Sequence, residues 1–141
     1  MASPAHDFKD LLNLDSSFGL AFGVNLHVSV LPEAPDACVA IIDTAPFPPD
    51  ATLTRDARWE RPGVQIIVRG ARGGASYETA WNLAESIGRT FHQAEPWTAE
   101  SGDSYKGCHL ASGPFFVAWD EQRRPLFSMN FNLQRAWSTP A

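Results

Sequence analysis

The sequence predicts an α+β domain in which two helices pack on a mostly antiparallel sheet with a C-terminal β-hairpin. Three observations support this prediction. The stretch from Trp59 to His92 reads as a strand followed at once by an amphipathic helix, and such a unit needs a sheet beneath it. Apolar and polar residues alternate at period 2 both before and after this unit. The length of 141 residues is typical of one domain, so we expect residues 1–141 to form a single unit.

The central unit gives the clearest pattern. Val64, Ile66 and Val68 fall on one face of a strand, and Ile67 on the other face places that strand inside the sheet. Residues 70–75 turn the chain, and Ser76 is the predicted N-cap of the following helix. An apolar stripe at helical spacing predicts which face of this helix packs on the sheet: Tyr77, Ala80, Trp81, Ala84, Ile87 and Phe91.

Three elements are predicted before this unit. Ser3 and Pro4 suit the N-cap and first position of a helix. This helix is predicted to end at Gly19 and to bury Phe8, Leu11, Leu12 and Phe18. Residues 25–30 alternate as a strand, and residues 37–44 form a more continuously apolar one. Residues 46–60, which open with Pro-Phe-Pro-Pro-Asp, are predicted to be a long irregular loop, and such loops are often functional.

The remaining elements follow the second helix. Residues 94–107 are predicted to be a polar loop, and residues 108–111 and 114–119 to be strands. In the latter strand, Phe115, Val117 and Trp119 should share a face. Residues 120–123 form the predicted hairpin turn. The last strand, residues 126–136, should direct one set of side chains inward: Phe127, Met129, Phe131 and Leu133.

Charge and cysteine usage exclude several classes of protein. The net charge of −5 does not suit a general phosphate-binding surface, which would be basic. The N-terminus lacks the apolar core of a secretion signal, and no apolar run approaches the ~20 residues of a membrane span. We therefore expect no membrane association and a cytosolic setting in which Cys38 and Cys108 remain free thiols.

The candidate chemistry is sparse. His6, His27, His92 and His109 have no zinc-like spacing, and the adjacent Cys108 and His109 should point to opposite faces of a strand. The glycine-rich residues 70–74 lack the Lys-Ser/Thr of a P-loop, so we interpret them as a turn rather than an anion site. No carboxylate pair suggests acid–base work. We predict no catalytic residue, no metal and no cofactor.

Several short blocks together resemble a family of long-tailed bacteriophages: the small minor capsid, or tail-terminator, proteins of lambda-like phages. The resemblance spans about residues 10–136. It lies in Val39–Thr44, in Phe-Pro-Pro-Asp at 47–50, in Glu60–Gly70, in the helix residues Tyr77–Ala80, Leu83, Ala84 and Ile87, and in Pro114, Phe115, Asp120, Glu121, Arg124 and Ser128–Asn132. One departure is at residues 44–47, where relatives often carry Gly before the two prolines.

The resemblance implies structural work in the virion. Such proteins form a ring, usually of six copies, that ends the tail tube, stops tail polymerisation and offers the surface to which the head joins. The implied partners are further copies, the tail tube protein and a head-completion or neck protein, with assembly in the host cytoplasm. Genomic DNA would pass through the centre without specific binding, and the net charge of −5 agrees with a lumen that repels phosphates.

The predicted loops at 46–60 and 94–107 are too long to be simple connectors, so we expect both to contact neighbouring subunits or the tube. We predict that subunit contacts involve Phe47, Asp50, Arg55, Arg58, Trp59, Arg61 and Arg72, with Arg69 also serving a contact. Asp50, Asp56 and Glu60 are predicted to line the channel. The nearest alternative is a head-completion or neck-adaptor protein of the phage connector. A small ligand-binding or enzymatic domain is less favoured, since it would need a pocket with converging polar groups.

Overall fold

The predicted α+β class is confirmed. The structure, a computed structural model, describes residues 2–50 and 59–136, with side chains for 2–46 and 59–136. Within this part of the chain, helix α1 spans Pro4–Leu14 and helix α2 spans Ser76–Phe91. The strands are β1 (Leu26–Val28), β2 (Cys38–Asp50), β3 (Trp59–Arg69), β4 (Trp97–Thr98), β5 (Ser104–Trp119) and β6 (Pro125–Ala136).

The strands form one mixed sheet in the order β1-β2-β3-β6-β5-β4. β1 runs parallel to β2, and each of the other neighbouring pairs is antiparallel. β3 and β6 are the central pair, although α2, β4 and β5 lie between them in sequence. Because β1 has three residues and β4 has two, much of β2 and β5 extends beyond its outer neighbour.

The core lies between the sheet and the two helices. Val64, Ile66 and Val68 of β3 are buried, as are the four residues of β6 that were expected to point inward. They join the apolar residues of both helices in one cluster. Phe8 of α1 is at its centre, with its ring centroid 5.2 Å from Phe131 and 5.6 Å from Phe91. Burial of this apolar surface is the main force that holds the helices on the sheet.

A buried polar cluster fastens α1 to β5. The Tyr105 hydroxyl donates to Asp7 Oδ2 at 2.5 Å, and the Ser101 hydroxyl donates to Asp7 Oδ1 at 2.7 Å. Asp7 and Tyr105 are each 1% exposed, so the bond between them is formed away from water, whereas Ser101 lies at the surface. Burial raises the pKa of Asp7 above its ordinary 3.8, and the Tyr105 and Ser101 hydroxyls partly offset this by stabilising the carboxylate.

Three elements, α1, α2 and β1, differ from expectation in where they begin or end. α1 ends at Leu14, and Phe18 lies in a separate 3-10 helix at Ser16–Phe18 that is capped by Gly19. Ser76 is the first residue of α2 rather than its N-cap, since its hydroxyl donates to the carbonyls of Ala71 and Gly73 in the preceding turn. β1 is shorter than the predicted strand at 25–30, and Val30 is 62% exposed.

The predicted loops and the strand at 114–119 also differ from expectation. Residues 46–50 belong to β2 rather than to a loop, and the 94–107 segment contains β4 and the start of β5. Residues 104–119 are one strand whose register against β6 shifts at several points. Gly113, at φ +89°, lies at one of these irregularities, and a Cβ there would be 2.6 Å from the Ser128 carbonyl oxygen. Only glycine fits this close approach.

Candidate assembly surfaces

The paired ends of β2 and β3, residues 44–50 and 59–63, form what we call the β2–β3 arm, and five of the residues predicted for assembly lie on it: Phe47, Asp50, Trp59, Glu60 and Arg61. Phe47 is paired with Arg61 and Asp50 with Trp59 in the antiparallel register of this arm. The predicted contact residues Arg55 and Arg58 and the predicted channel residue Asp56 lie outside the described residues. Two register shifts separate Thr44 from Asp50, and such irregularities bend and twist a strand pair. The arm is therefore a bent extension of the sheet.

Glu60 is committed to an internal ion pair. Its Oε2 accepts from both Nε and Nη2 of Arg135, at 2.8 and 2.5 Å. The Arg135 side chain is 9% exposed and also donates to the Ala2 carbonyl. A buried guanidinium needs an opposite charge beside it. The Glu60 carboxylate therefore neutralises Arg135 within the subunit and is less available to other partners. Asp50 and Asp56 are then the predicted channel residues whose charge would carry that role.

Trp59 and Arg61 lie at the start of β3. The Trp59 ring is half-buried, with Lys106 Nζ 5.3 Å from its centroid. Arg61 is exposed and lines a groove of about 670 Å³ beside β5 and β6. Their neighbours on the sheet face away from the helices include Asn132 and Gln134, which are neutral. The charged groups in this region, Arg61 and Lys106, are both basic.

At the other end of the molecule, arginines hold the turns together. Arg72 is 61% exposed and contacts Asp36 and Gln122, so it lies at the surface as a contact residue would. Arg69 does not: it is 4% exposed, and its guanidinium donates to the carbonyls of Pro32, Pro35 and Asp36. The expectation that Arg69 serves a subunit contact is therefore wrong. It satisfies buried carbonyls of the proline-rich segment instead.

Arg124, in the β5–β6 turn, also bonds to the proline-rich segment. Only 3% exposed, it pairs with Asp120 at 2.6 Å and Asp36 at 3.2 Å, and it donates to the Glu33 carbonyl at 2.8 Å. The hairpin turn and the proline-rich segment are thereby locked together. Sequence reasoning assigned Arg124 no role.

Two histidines and one cysteine line the described part of this groove: His92, His109 and Cys108. His92 Nδ1 accepts from the Leu110 amide at 3.0 Å, and the His92 and His109 rings are 6.1 Å apart. Burial raises the pKa of the Cys108 thiol to about 12, so it holds its proton near neutral pH. Among the described residues, no group of three His, Cys, Asp or Glu side chains could hold a metal ion.

Large apolar side chains are exposed in two places. One group lies around β1: Leu14, Phe22, Val24 and Val30. The other lies on β5: Phe115, Phe116, Val117 and Trp119. A register shift between Phe116 and Ala118 breaks the predicted alternation, so Trp119 lies with Phe116 and Tyr77, at ring distances of 6.1 and 6.0 Å. The prediction that Phe115 and Trp119 share one face is wrong for this reason.

None of the helices in the described part of the chain is both long and apolar enough to cross a membrane.

Comparison with known proteins gives one family. A family model described as "Bacteriophage tail terminator protein" matches residues 14–137. A chain in the solved structure "Virion of native gene transfer agent (GTA) particle" is similar with a TM-score of 0.64 at 12% identity, over 96% of both chains. A second solved structure has a TM-score of 0.52 at 15% identity, over 96% of this chain and 91% of that one. At these identities the two likenesses show the fold alone. No curated protein matches.

Proposed function

We propose a function from one premise: the chain belongs to the bacteriophage tail terminator family, whose model matches nearly its whole length. The protein is accordingly a structural component of a phage-like tail and not an enzyme. Our proposal is that several copies, six by analogy with lambda-like phages, close into a ring on the end of the tail tube. The ring stops tail polymerisation and presents the surface to which the head joins, with DNA passing through its centre.

The geometry supports this proposal in two ways. A ring requires each copy to present two different surfaces, because a heterologous contact joins unlike patches. The β2–β3 arm offers one such surface, and we propose contacts there through Phe47, Asp50, Arg55, Arg58, Trp59 and Arg61. Arg72 lies at the opposite end of β3, where it is exposed and able to meet a neighbouring copy.

The charge distribution supports free passage of DNA. The chain has 16 acidic and 11 basic residues, and three of the arginines, Arg69, Arg124 and Arg135, are buried in internal contacts. Each exposed cation that met a phosphate would add salt-sensitive affinity and slow the DNA. We propose that Asp50 and Asp56 line the channel, with Glu60 contributing less because it pairs with Arg135.

The test is assembly of tails with and without the protein. With tail tube protein present, wild-type protein should give tails of uniform length that join filled heads, and its omission should give overgrown tails that do not join heads. Deleting residues 51–57 should leave a folded subunit that fails to terminate tails. The matched control is Asn82→Glu, an exposed change on α2. Normal tail length and head joining without the protein would contradict the proposed function.

DNA binding tests the channel separately. The purified ring should show no measurable affinity for duplex DNA near physiological salt. Micromolar binding that weakens steeply with added salt would reject an acidic lumen, and it would favour a DNA-gripping neck adaptor instead.

A further inference from the structure

The groove beside β5 and β6 lies on the sheet face that the helices do not cover. On its floor, His109 of β5 is paired with Asn132 of β6. The next pair is Gly107 with Gln134, and because glycine has no side chain the floor is open at this point. Leu133 points into the core, and side chains alternate along a strand, so Asn132 and Gln134 point into the groove. Its volume of about 670 Å³ is typical of ligand sites.

The wall of this groove is fixed to the sheet. Residues 92–94 follow α2 and run beside the outer edge of β5. The Gln93 amide donates to the Cys108 carbonyl at 2.8 Å, and the Leu110 amide donates to His92 Nδ1 at 3.0 Å. These two bonds hold the wall in place, so the groove is formed before any partner arrives. A preformed site lowers the entropic cost of binding.

The groove offers hydrogen-bond donors but no carboxylate. The side-chain amides of Gln93, Asn132 and Gln134 can each donate. Because His92 Nδ1 is an acceptor, the neutral ring carries its proton on Nε2, which is then a donor. The described residues that line the groove include no Asp or Glu, although the chain has 16 acidic and 11 basic residues.

The charges beside these donors are positive. Arg61 lines the groove, and Lys106, which directly precedes Gly107, is exposed. Glu60, the acidic neighbour of Arg61 in β3, is paired with Arg135 inside the subunit. Cations together with N–H donors are the groups that recognise carboxylates. The groove is therefore complementary in charge to an acidic ligand.

We propose that this groove binds an extended acidic segment of another protein of the particle. Carboxylates of the segment accept hydrogen bonds from the amide side chains of the floor and wall, and they lie near the two basic residues. The inference adds to the proposed function the chemistry of one partner.

A second copy of this chain is a poorer occupant. Within the described residues, the carboxylates that form no ion pair or hydrogen bond lie on α2, on either side of β4 and in the β5–β6 turn: Glu78, Glu95, Glu100 and Glu121. The segment between Glu95 and Glu100 is already paired with β5 through β4. The described part of the chain thus has no unpaired extended segment rich in free carboxylates.

Nucleic acid also fits the groove less well than an acidic peptide. Single strands are bound largely by stacking of bases on aromatic rings, and the rings in the described lining are those of His92 and His109. The net charge of −5 repels polyphosphates at longer range.

Isosteric substitutions test the charge preference. The double variant Asn132→Asp/Gln134→Glu adds two negative charges to the floor with almost no change in shape. Asn82→Asp, at an exposed position on α2, is the matched control, and circular dichroism checks that all the proteins fold. The probe is a fluorescently labelled eight-residue peptide of alternating Glu and Thr, and a second peptide has Gln in place of Glu.

Fluorescence anisotropy with the full-length protein gives the affinities. The Glu peptide should bind at least about tenfold more tightly than the Gln peptide, and added salt should weaken its binding. The double variant should bind the Glu peptide at least about 20-fold more weakly, because each like-charge contact at close range costs about 5-fold or more. Asn82→Asp should leave the affinity unchanged.

Several outcomes would overturn the inference. They are equal binding of the two peptides, undiminished binding to the double variant, and no binding of the Glu peptide at millimolar concentration. Duplex DNA that bound the wild-type protein but not the double variant would assign the groove to nucleic acid instead. The peptide test needs no ring and no tail, so its failure leaves the proposed function intact. Tails that end normally without the protein would reject the proposed function and leave the peptide result unaffected.

Discussion

Removing one hydroxyl from the buried cluster that joins α1 to β5 should measurably destabilise the subunit. In Tyr105→Phe, Asp7 Oδ2 loses the hydrogen bond that it now accepts at 2.5 Å, and only Ser101 still donates to this carboxylate. The aromatic ring remains, so its stacking on Trp97 at 4.5 Å is preserved. The change therefore isolates the hydrogen bond from the packing.

The loss should depend on pH. At a pH above the folded pKa of Asp7 the carboxylate is ionised, and a hydrogen bond to a charged group contributes about 1.5–3 kcal/mol. Below pH 3.8 the carboxyl is protonated in both states, and the lost bond is worth only about 0.5–1.5 kcal/mol. Burial raises the pKa of Asp7 in the folded protein above 3.8, its value in the unfolded chain. Proton binding by Asp7 therefore stabilises the folded state fully below pH 3.8, and this stabilisation is lost as the pH rises through the folded pKa. Removing the hydroxyl raises that pKa further and deepens the loss at neutral pH.

Urea unfolding followed by tryptophan fluorescence measures this difference. We expect Tyr105→Phe to cost about 2 kcal/mol near pH 7 and about 1 kcal/mol near pH 3.5. Tyr77→Phe is the control, since the Tyr77 hydroxyl forms no hydrogen bond within the described residues, and it should change stability little at either pH. An equal cost at both pH values would show that Asp7 is not the group that receives this bond.

Three further predictions concern stability. Gly113→Ala should lower the free energy of unfolding by about 2–3 kcal/mol, because the new Cβ would clash with backbone atoms at a positive φ. The control Gly102→Ala, at a positive φ in open space, should cost only about 1 kcal/mol. Equal losses for the two variants in thermal unfolding would contradict the clash. Arg69→Met should lower the free energy of unfolding by about 3 kcal/mol, because it leaves buried carbonyls unpaired. The control Arg72→Met, at an exposed arginine, should lower it by under about 1 kcal/mol. Matching urea midpoints for the two variants would show that Arg69 does not satisfy these carbonyls. Trp81→Ala should cost about 2–3 kcal/mol, below the range for a fully buried Trp, because this ring is half-buried; no change would show that it does not pack on the sheet.

Period-2 and helical patterns predicted the core well because burial imposes them directly. Alternation at 126–136 predicted the four inward side chains of β6, and the stripe on α2 predicted Ala80, Ala84, Ile87 and Phe91, all of which are buried. Strand ends were predicted less well. The two prolines at 48 and 49 suggested a loop, yet β2 continues to Asp50. Prolines are compatible with a strand edge where no amide is needed.

The polar contacts could be predicted only in part. Arg135 continues the inward set of β6 two residues after Leu133, so period 2 alone places it inside and demands an acidic partner. That the partner is Glu60 depends on β3 lying beside β6, which alternation does not reveal. The expected contact role of Arg69 failed similarly, since the carbonyls it binds lie more than 30 residues away. The sequence pattern could not foresee the register shift that turns Trp119 towards Tyr77.

The central position of β6 has a consequence for biosynthesis. β3 is bordered by β6, whose first residue follows the end of β3 by more than 50 positions, and the Tyr105–Asp7 bond spans 98 positions. Contacts so distant in sequence make folding slow, because long chain segments must be ordered before they form. A nascent chain that has not yet released residues 125–136 exposes unpaired edges on both β3 and β5, which favours aggregation. The subunit can therefore fold and assemble only after β6 has been synthesised. Chains truncated before β6 should aggregate or be degraded instead of entering an assembly.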